Sequence, residues 1–148
     1  MSVDHRQLAV DFFNHVWTLL RKPERTAEED DEMIHAAHAS RHHWAQVGTA
    51  ANLARGEWQV SRVYATLRRA EPALYHAGRC LAYCEGSPRD LEDWDLPYAY
   101  EALARANAVA GNVDEAKRFA ACARELGERV EDEEDRKQLE SDLADTPK

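Results

Sequence analysis

A chain of 148 residues has the length of one ordinary domain, and 44% hydrophobic residues suffice for one core. Twenty-eight acidic residues against 19 basic ones leave a formal charge of −9, which argues against nucleic acid or an anionic membrane as the main partner. No segment reaches the roughly eighteen apolar residues of a membrane span, the start MSVDHRQLAV has no signal-peptide core, and three cysteines without disulfide-like spacing suit a reducing compartment, so a cytoplasmic protein is expected.

Every long segment shows the helical period and none alternates, so the expected class is all-α. The first helix should run from about His5 to Arg21, with Leu8, Phe12, Val16 and Leu19 or Leu20 on one stripe, and Lys22-Pro23 ends it. Thr26 opens the second, its hydroxyl capping while Glu29 reaches back. That helix sends Met33, Ala37, Ser40, Trp44 and Val47 inward and stops at Gly48, expected to be left-handed. Thr49 caps a third helix from about Ala50 to Arg69, holding Leu53, Val60, Val63, Tyr64 and Leu67. Gly56 inside it costs about 1 kcal/mol relative to alanine and marks a place for a kink or break.

Pro72 suits the first turn of a fourth helix ending near Cys84, and Glu85 to Asp95 reads as a loop. A fifth helix starts at Asp95 and Pro97 and runs to Ala110, Gly111 and Asn112 turn the chain, and a sixth follows from Val113 to about Leu126. The last, roughly Asp132 to Asp145, brings only Leu139 and Leu143 inward and reads as a polar cap.

Within this series lies a duplication. Slid by forty-three positions, Val60 to Ala77 falls on Leu103 to Ala120, so that Arg62 meets Arg105, Ala65 meets Ala108, Ala73 meets Ala116, Ala77 meets Ala120 and Glu71 meets Asp114. A two-helix unit of that length cannot bury its apolar face alone, so the fold should be a stack. Tyr100 to Leu126 resembles the tetratricopeptide repeat, its bulky, small and turn positions falling on Tyr100, Leu103, Ala104, Gly111, Ala116, Ala120 and Ala123. The upstream copy has Val60, Ser61, Tyr64, Ala73, Ala77 and Cys80 there, but Arg68 replaces the turn glycine, so the bend is expected without positive φ. A weaker third copy places Asp31, Met33, Ala37 and Ser40 forty positions before Glu71, Ala73, Ala77 and Cys80. Another frame, with Trp44, Val47, Gly48, Tyr64 and Pro72, keeps the architecture and changes which faces line the groove.

The resemblance implies a single tetratricopeptide-like domain over residues 1–148, with about three stacked helical hairpins, a C-terminal capping helix, and a concave groove lined by the first helix of each pair. On it would lie Asn52, Arg55, Trp58 and Arg62 from the third helix and Tyr98, Glu101 and Arg105 from the fifth. Arginine forks beside rigid aromatics suit an acidic peptide or chain terminus, so a protein or peptide partner is expected. Against this, Glu101 and Arg105 stand four apart and can simply pair with each other.

Two other constellations are open to chemistry. His35, His38 and His42 share a helical stripe, which offers a metal or small-ligand site as the alternative to groove binding, or else a solvent-facing edge. His76, Cys80 and Cys84 form a second ladder, better explained by small buried thiols than by zinc, since no second cluster lies nearby. No phosphate loop, GxSxG elbow or HExxH pair is present, so neither an enzyme nor a cofactor is expected. Self-assembly through Trp17, Trp44 or Trp94 is the remaining alternative.

Overall fold

The computed structural model describes residues 2–147 and is built from helices throughout. Seven α-helices follow in order: α1 His5–Leu20, α2 Ala27–Val47, α3 Ala50–Thr66, α4 Ala70–Gly86, α5 Asp95–Ala110, α6 Val113–Gly127 and α7 Glu133–Ala144, with a short 3₁₀ turn at Pro88–Asp90. The all-α expectation holds, and the expected loop from Glu85 to Asp95 contains that turn.

Neighbouring helices pack as pairs, α1 with α2, α3 with α4 and α5 with α6, and α3 touches α1, α2, α4 and α5. Small polar side chains stitch the pairs. Ser40 donates to the Ala9 carbonyl at 2.7 Å, Ser61 to the Ala73 carbonyl at 2.8 Å, and the Gln59 amide to the Phe13 carbonyl at 3.0 Å. Each satisfies a buried hydroxyl or amide hydrogen on a neighbouring helix backbone, which fixes how closely the helices approach. Ser40, Cys80 and Ala123, aligned as the close-packing position of the three copies, are all buried.

Local signals work as the physics of helix ends predicts at most junctions. Thr26 accepts from the Glu29 amide at 3.1 Å while the Glu29 carboxylate accepts from the Thr26 amide at 3.0 Å, closing a capping box. Gly111 turns α5 into α6 with φ of 82°. Five expectations are corrected. Gly48 is extended at φ −94°, not left-handed; a Cβ there would stand 2.8 Å from the Trp44 carbonyl oxygen, so space and not handedness selects glycine. Val47 is 42% exposed instead of inward. Gly56 makes no break: α3 runs on past it, and the Arg41 side chain lies against the bare Cα. Arg68 does adopt positive φ, 62°, where its helical cousin has Gly111, and α3 ends at Thr66 instead of Arg69.

Helix α7 lies over α5 and α6 through Leu139 and Leu143, both buried. Gly127 makes room for it, since a Cβ there would come within 2.6 Å of Leu139 Cδ2. No helix among the described residues is long and apolar enough to cross a membrane.

Candidate binding site

The first helices of the three hairpins, with the cap, line an open cavity of about 530 Å³. Helix α1 and its C-cap contribute Trp17 and Arg21, α3 contributes Arg55 and Trp58, and the start of α5 contributes Trp94, Asp95 and Tyr98. Helix α7 closes the fourth side with Gln138 and Asp142. Four aromatic rings form a continuous arc: Trp17 to Trp58 at 5.8 Å, Trp58 to Tyr98 at 5.6 Å edge-on, and Tyr98 to Trp94 at 6.4 Å edge-on between centroids. The volume and the aromatic lining are those of small-ligand clefts.

Both carboxylates of the wall are held by partners from the chain. Arg55 grips Asp95 with both prongs, 2.9 and 2.8 Å, and its guanidinium lies 4.5 Å from the Trp94 ring centroid. The hydrogen bond to Asp95 raises the Arg55 pKa against the opposing pull of burial. Tyr98 donates to Asp142 at 2.7 Å, and burial together with that carboxylate pushes its phenol far up, so it stays a neutral donor. Arg21, at the mouth, is exposed and rests 5.8 Å from the Trp17 ring.

Behind the arc the repeated arginines converge. Arg62 Nη1 stands 3.9 Å from Glu101 and 3.9 Å from Asp142, and its Nη2 reaches Asp145 at 3.5 Å. Arg105 Nε is 3.5 Å from Glu101, its Nη1 is 3.5 Å from Asp145, and its Nη2 donates to the Asp142 carbonyl at 2.8 Å. Glu101 is wholly buried, and burial raises its pKa although Arg105 and Arg62 act the other way. Burial, with Arg105 close by, lowers that of Arg62.

The seven groove residues therefore divide. Arg55, Trp58 and Tyr98 line the cavity; Arg62, Glu101 and Arg105 are gathered into one ionic cluster that α7 covers; Asn52 stands apart and accepts from the Thr49 amide at 3.0 Å. Sequence reasoning missed Trp17 and Trp94 as cavity walls, having set them on an outer patch, and missed Asp95, Asp142 and Asp145 as counter-charges. The aromatic content of α1 and of the Glu85–Asp95 loop was the available signal. Trp44, the third residue of that patch, lies half-buried under Arg6, whose guanidinium is 5.2 Å from its ring.

The histidine stripe also divides. His35 and His42 are exposed, whereas His38 turns inward and meets the Tyr64 hydroxyl at 2.9 Å. His76 leaves the cysteine ladder for Glu57, 2.6 Å away, and Arg41 reaches the same carboxylate at 3.2 Å. No three His, Cys, Asp or Glu side chains among the described residues converge as metal ligands. Cys80 and Cys84 are buried free thiols.

No family model, characterised protein or solved structure matches the chain.

Proposed function

We propose that the protein is a binding module, built as a tetratricopeptide-like stack, whose site is the cavity between α1, α3, α5 and α7. The observation that carries this reading is the arc of Trp17, Trp58, Tyr98 and Trp94 around a space of about 530 Å³. Rigid aromatics gain contact area at low entropic cost, and four together favour a planar apolar group. Asp95 and Asp142, the titratable carboxylates of the wall, are each held by an arginine or tyrosine, which suits holding a ligand better than moving a proton. The occupant is either a small planar molecule or the single anchor side chain of a peptide or protein partner. Buried free thiols agree with a reducing cytoplasm.

Two arms of one titration separate the sources. Tryptophan fluorescence is followed against a panel of small planar amphipaths, then against short peptides carrying one Trp or Phe. A saturable change that Trp94→Ala and Trp58→Ala weaken at least tenfold, with circular dichroism melts still cooperative, supports the cavity. Absence of a saturating ligand in both arms rejects it.

A further inference from the structure

The charged side chains that line the cavity find partners within the chain, with one exception. Arg55 holds Asp95 with both prongs, and that carboxylate, 2% exposed, also accepts the Glu92 amide at 2.8 Å. Asp142 accepts from Tyr98 at 2.7 Å and has Arg62 at 3.9 Å behind it. Arg21 lines the same cavity from the C-cap of α1, where it is exposed. Its guanidinium pairs with no carboxylate among the described residues and rests instead 5.8 Å from the centroid of the Trp17 ring.

An aromatic arc can hold a cation, but here cations of the chain already lie against the rings: Arg55 is 4.5 Å from the Trp94 centroid and Arg62 is 5.9 Å from that of Trp17. An ammonium entering the arc would meet like charge at two of its four rings and find both wall carboxylates taken. A neutral ligand would use the rings and leave Arg21 in water. A planar body with a carboxylate beside its ring uses both, since the ring packs along Trp17 while the carboxylate accepts from the guanidinium fork, the strong charge-assisted geometry. Resting on the cavity reading above, we infer that the ligand is an aromatic carboxylate and that Arg21, at the mouth, is its anion anchor. That chemistry has two sources, a small aromatic acid or a peptide whose C-terminal residue is aromatic.

Calorimetric titration at pH 7 tests this in two arms. The first compares 1-naphthaleneacetic acid, 1-naphthaleneacetamide and 1-naphthylmethylamine, which share a ring system and differ in charge. The second compares N-acetyl-glycyl-tryptophan with its C-terminal amide. In at least one arm the acid should bind about fivefold more tightly than the amide, and in the first arm the amine should bind most weakly. Preference in the naphthalene arm supports a small aromatic acid, and preference in the peptide arm supports a chain terminus. Arg21→Gln should bring the acid down to the affinity of the amide while moving the amide less than about twofold. Because Arg21 is exposed and holds no ion pair, this variant keeps the fold and reads the site alone. Amide binding as tightly as acid in both arms, tightest binding of the amine, or an acid preference that survives Arg21→Gln overturns the anchor and leaves the cavity standing. Binding of none of the compounds overturns both.

Discussion

Arg62 of α3 and Arg105 of α5, forty-three residues apart, both reach the one buried carboxylate of Glu101, at 3.9 and 3.5 Å. The packing of α3 on α5 brings like charges together, and the chain neutralises them with Glu101 in the core, Asp142 of α7 and Asp145 at its C-cap. Arginines that on an open groove would await an acidic peptide already hold carboxylates of their own chain.

Reversing either arginine should accordingly unfold the protein before it affects any partner. In Arg62→Glu a carboxylate replaces a guanidinium that is only 13% exposed, beside the buried Glu101. Breaking a buried ionic cluster in this way costs about 3–5 kcal/mol. Urea denaturation of Arg62→Glu should show that loss, and a midpoint within error of wild type would mean that the cluster does not form.

How much of this was readable from the chain can be judged at particular residues. Helix ends that depend on local chemistry, such as the Thr26–Glu29 capping box and the left-handed Gly111, stood in the sequence because their partners lie within a few positions. The convergence of Arg62 and Arg105 was visible as a repeat. Their burial was not, since it depends on where α7 comes to rest, and α7 carries only Leu139 and Leu143 to announce a docking face. For the same reason the cavity was half legible: α3 and α5 were named as its walls, while Trp17 and Trp94 enter from segments that only tertiary packing brings together. Arg68 shows the opposite failure, a rule obeyed in energy and broken in fact.

That residue gives a second prediction. At φ 62° Arg68 carries left-handed strain that glycine would not, and the same turn is completed by the Arg69 amide donating to the Tyr64 carbonyl at 2.8 Å. Arg68→Gly should stabilise the fold by about 0.5–1 kcal/mol, the strain relieved exceeding the entropy that glycine adds to the unfolded chain. Differential scanning calorimetry should show a rise of roughly 1–4 °C for a chain of this size. A fall in Tm would show that the Arg68 side chain contributes more than its backbone costs.

Glu101 and Glu57 should respond to pH in opposite senses. Burial raises the Glu101 pKa, so the stability that comes with its protonated form is full below the ordinary carboxylate range and lost as pH rises through the folded value. The stability of Glu101→Gln relative to wild type should therefore increase from pH 4 to pH 8, read from urea midpoints at each pH. For Glu57, burial works to raise the carboxyl, but His76 and Arg41 outweigh it and hold the pKa low. Its contribution is present at neutral pH and disappears as pH falls through the folded value. A flat difference across the range for Glu101→Gln would show that the carboxyl is not perturbed.

His38 adds an earlier acid step. Burial and then the neighbouring His76 lower its pKa, so folding favours the neutral ring that meets Tyr64 at 2.9 Å. Stability should hold above about pH 6.5 and fall below it, as the unfolded chain takes up the proton first. Around the ring stand Tyr64 and Glu57 of α3, His76 of α4, and His35 of its own helix. His38→Gln keeps a hydrogen-bonding group and removes the titration. Its melting temperature should change less than that of wild type between pH 7 and pH 5.5, and equal slopes would place the acid sensitivity elsewhere.

The cap links stability to binding. Leu139 seats only because residue 127 has no side chain; a Cβ there would lie 2.6 Å from Leu139 Cδ2, a separation that core packing does not tolerate. Gly127→Ala should cost about 1–3 kcal/mol through overpacking. Because α7 also carries Gln138 and Asp142 into the cavity wall and supplies the carboxylates that face Arg62, a displaced cap loosens the site as well as the core. Ligand affinity should therefore fall together with stability in this variant, whereas Arg68→Gly, on the far turn of α3, moves stability alone. Measuring both variants by urea denaturation and by titration of one cavity ligand separates the two effects. Unchanged affinity in a destabilised Gly127→Ala would show that α7 covers the core without shaping the site.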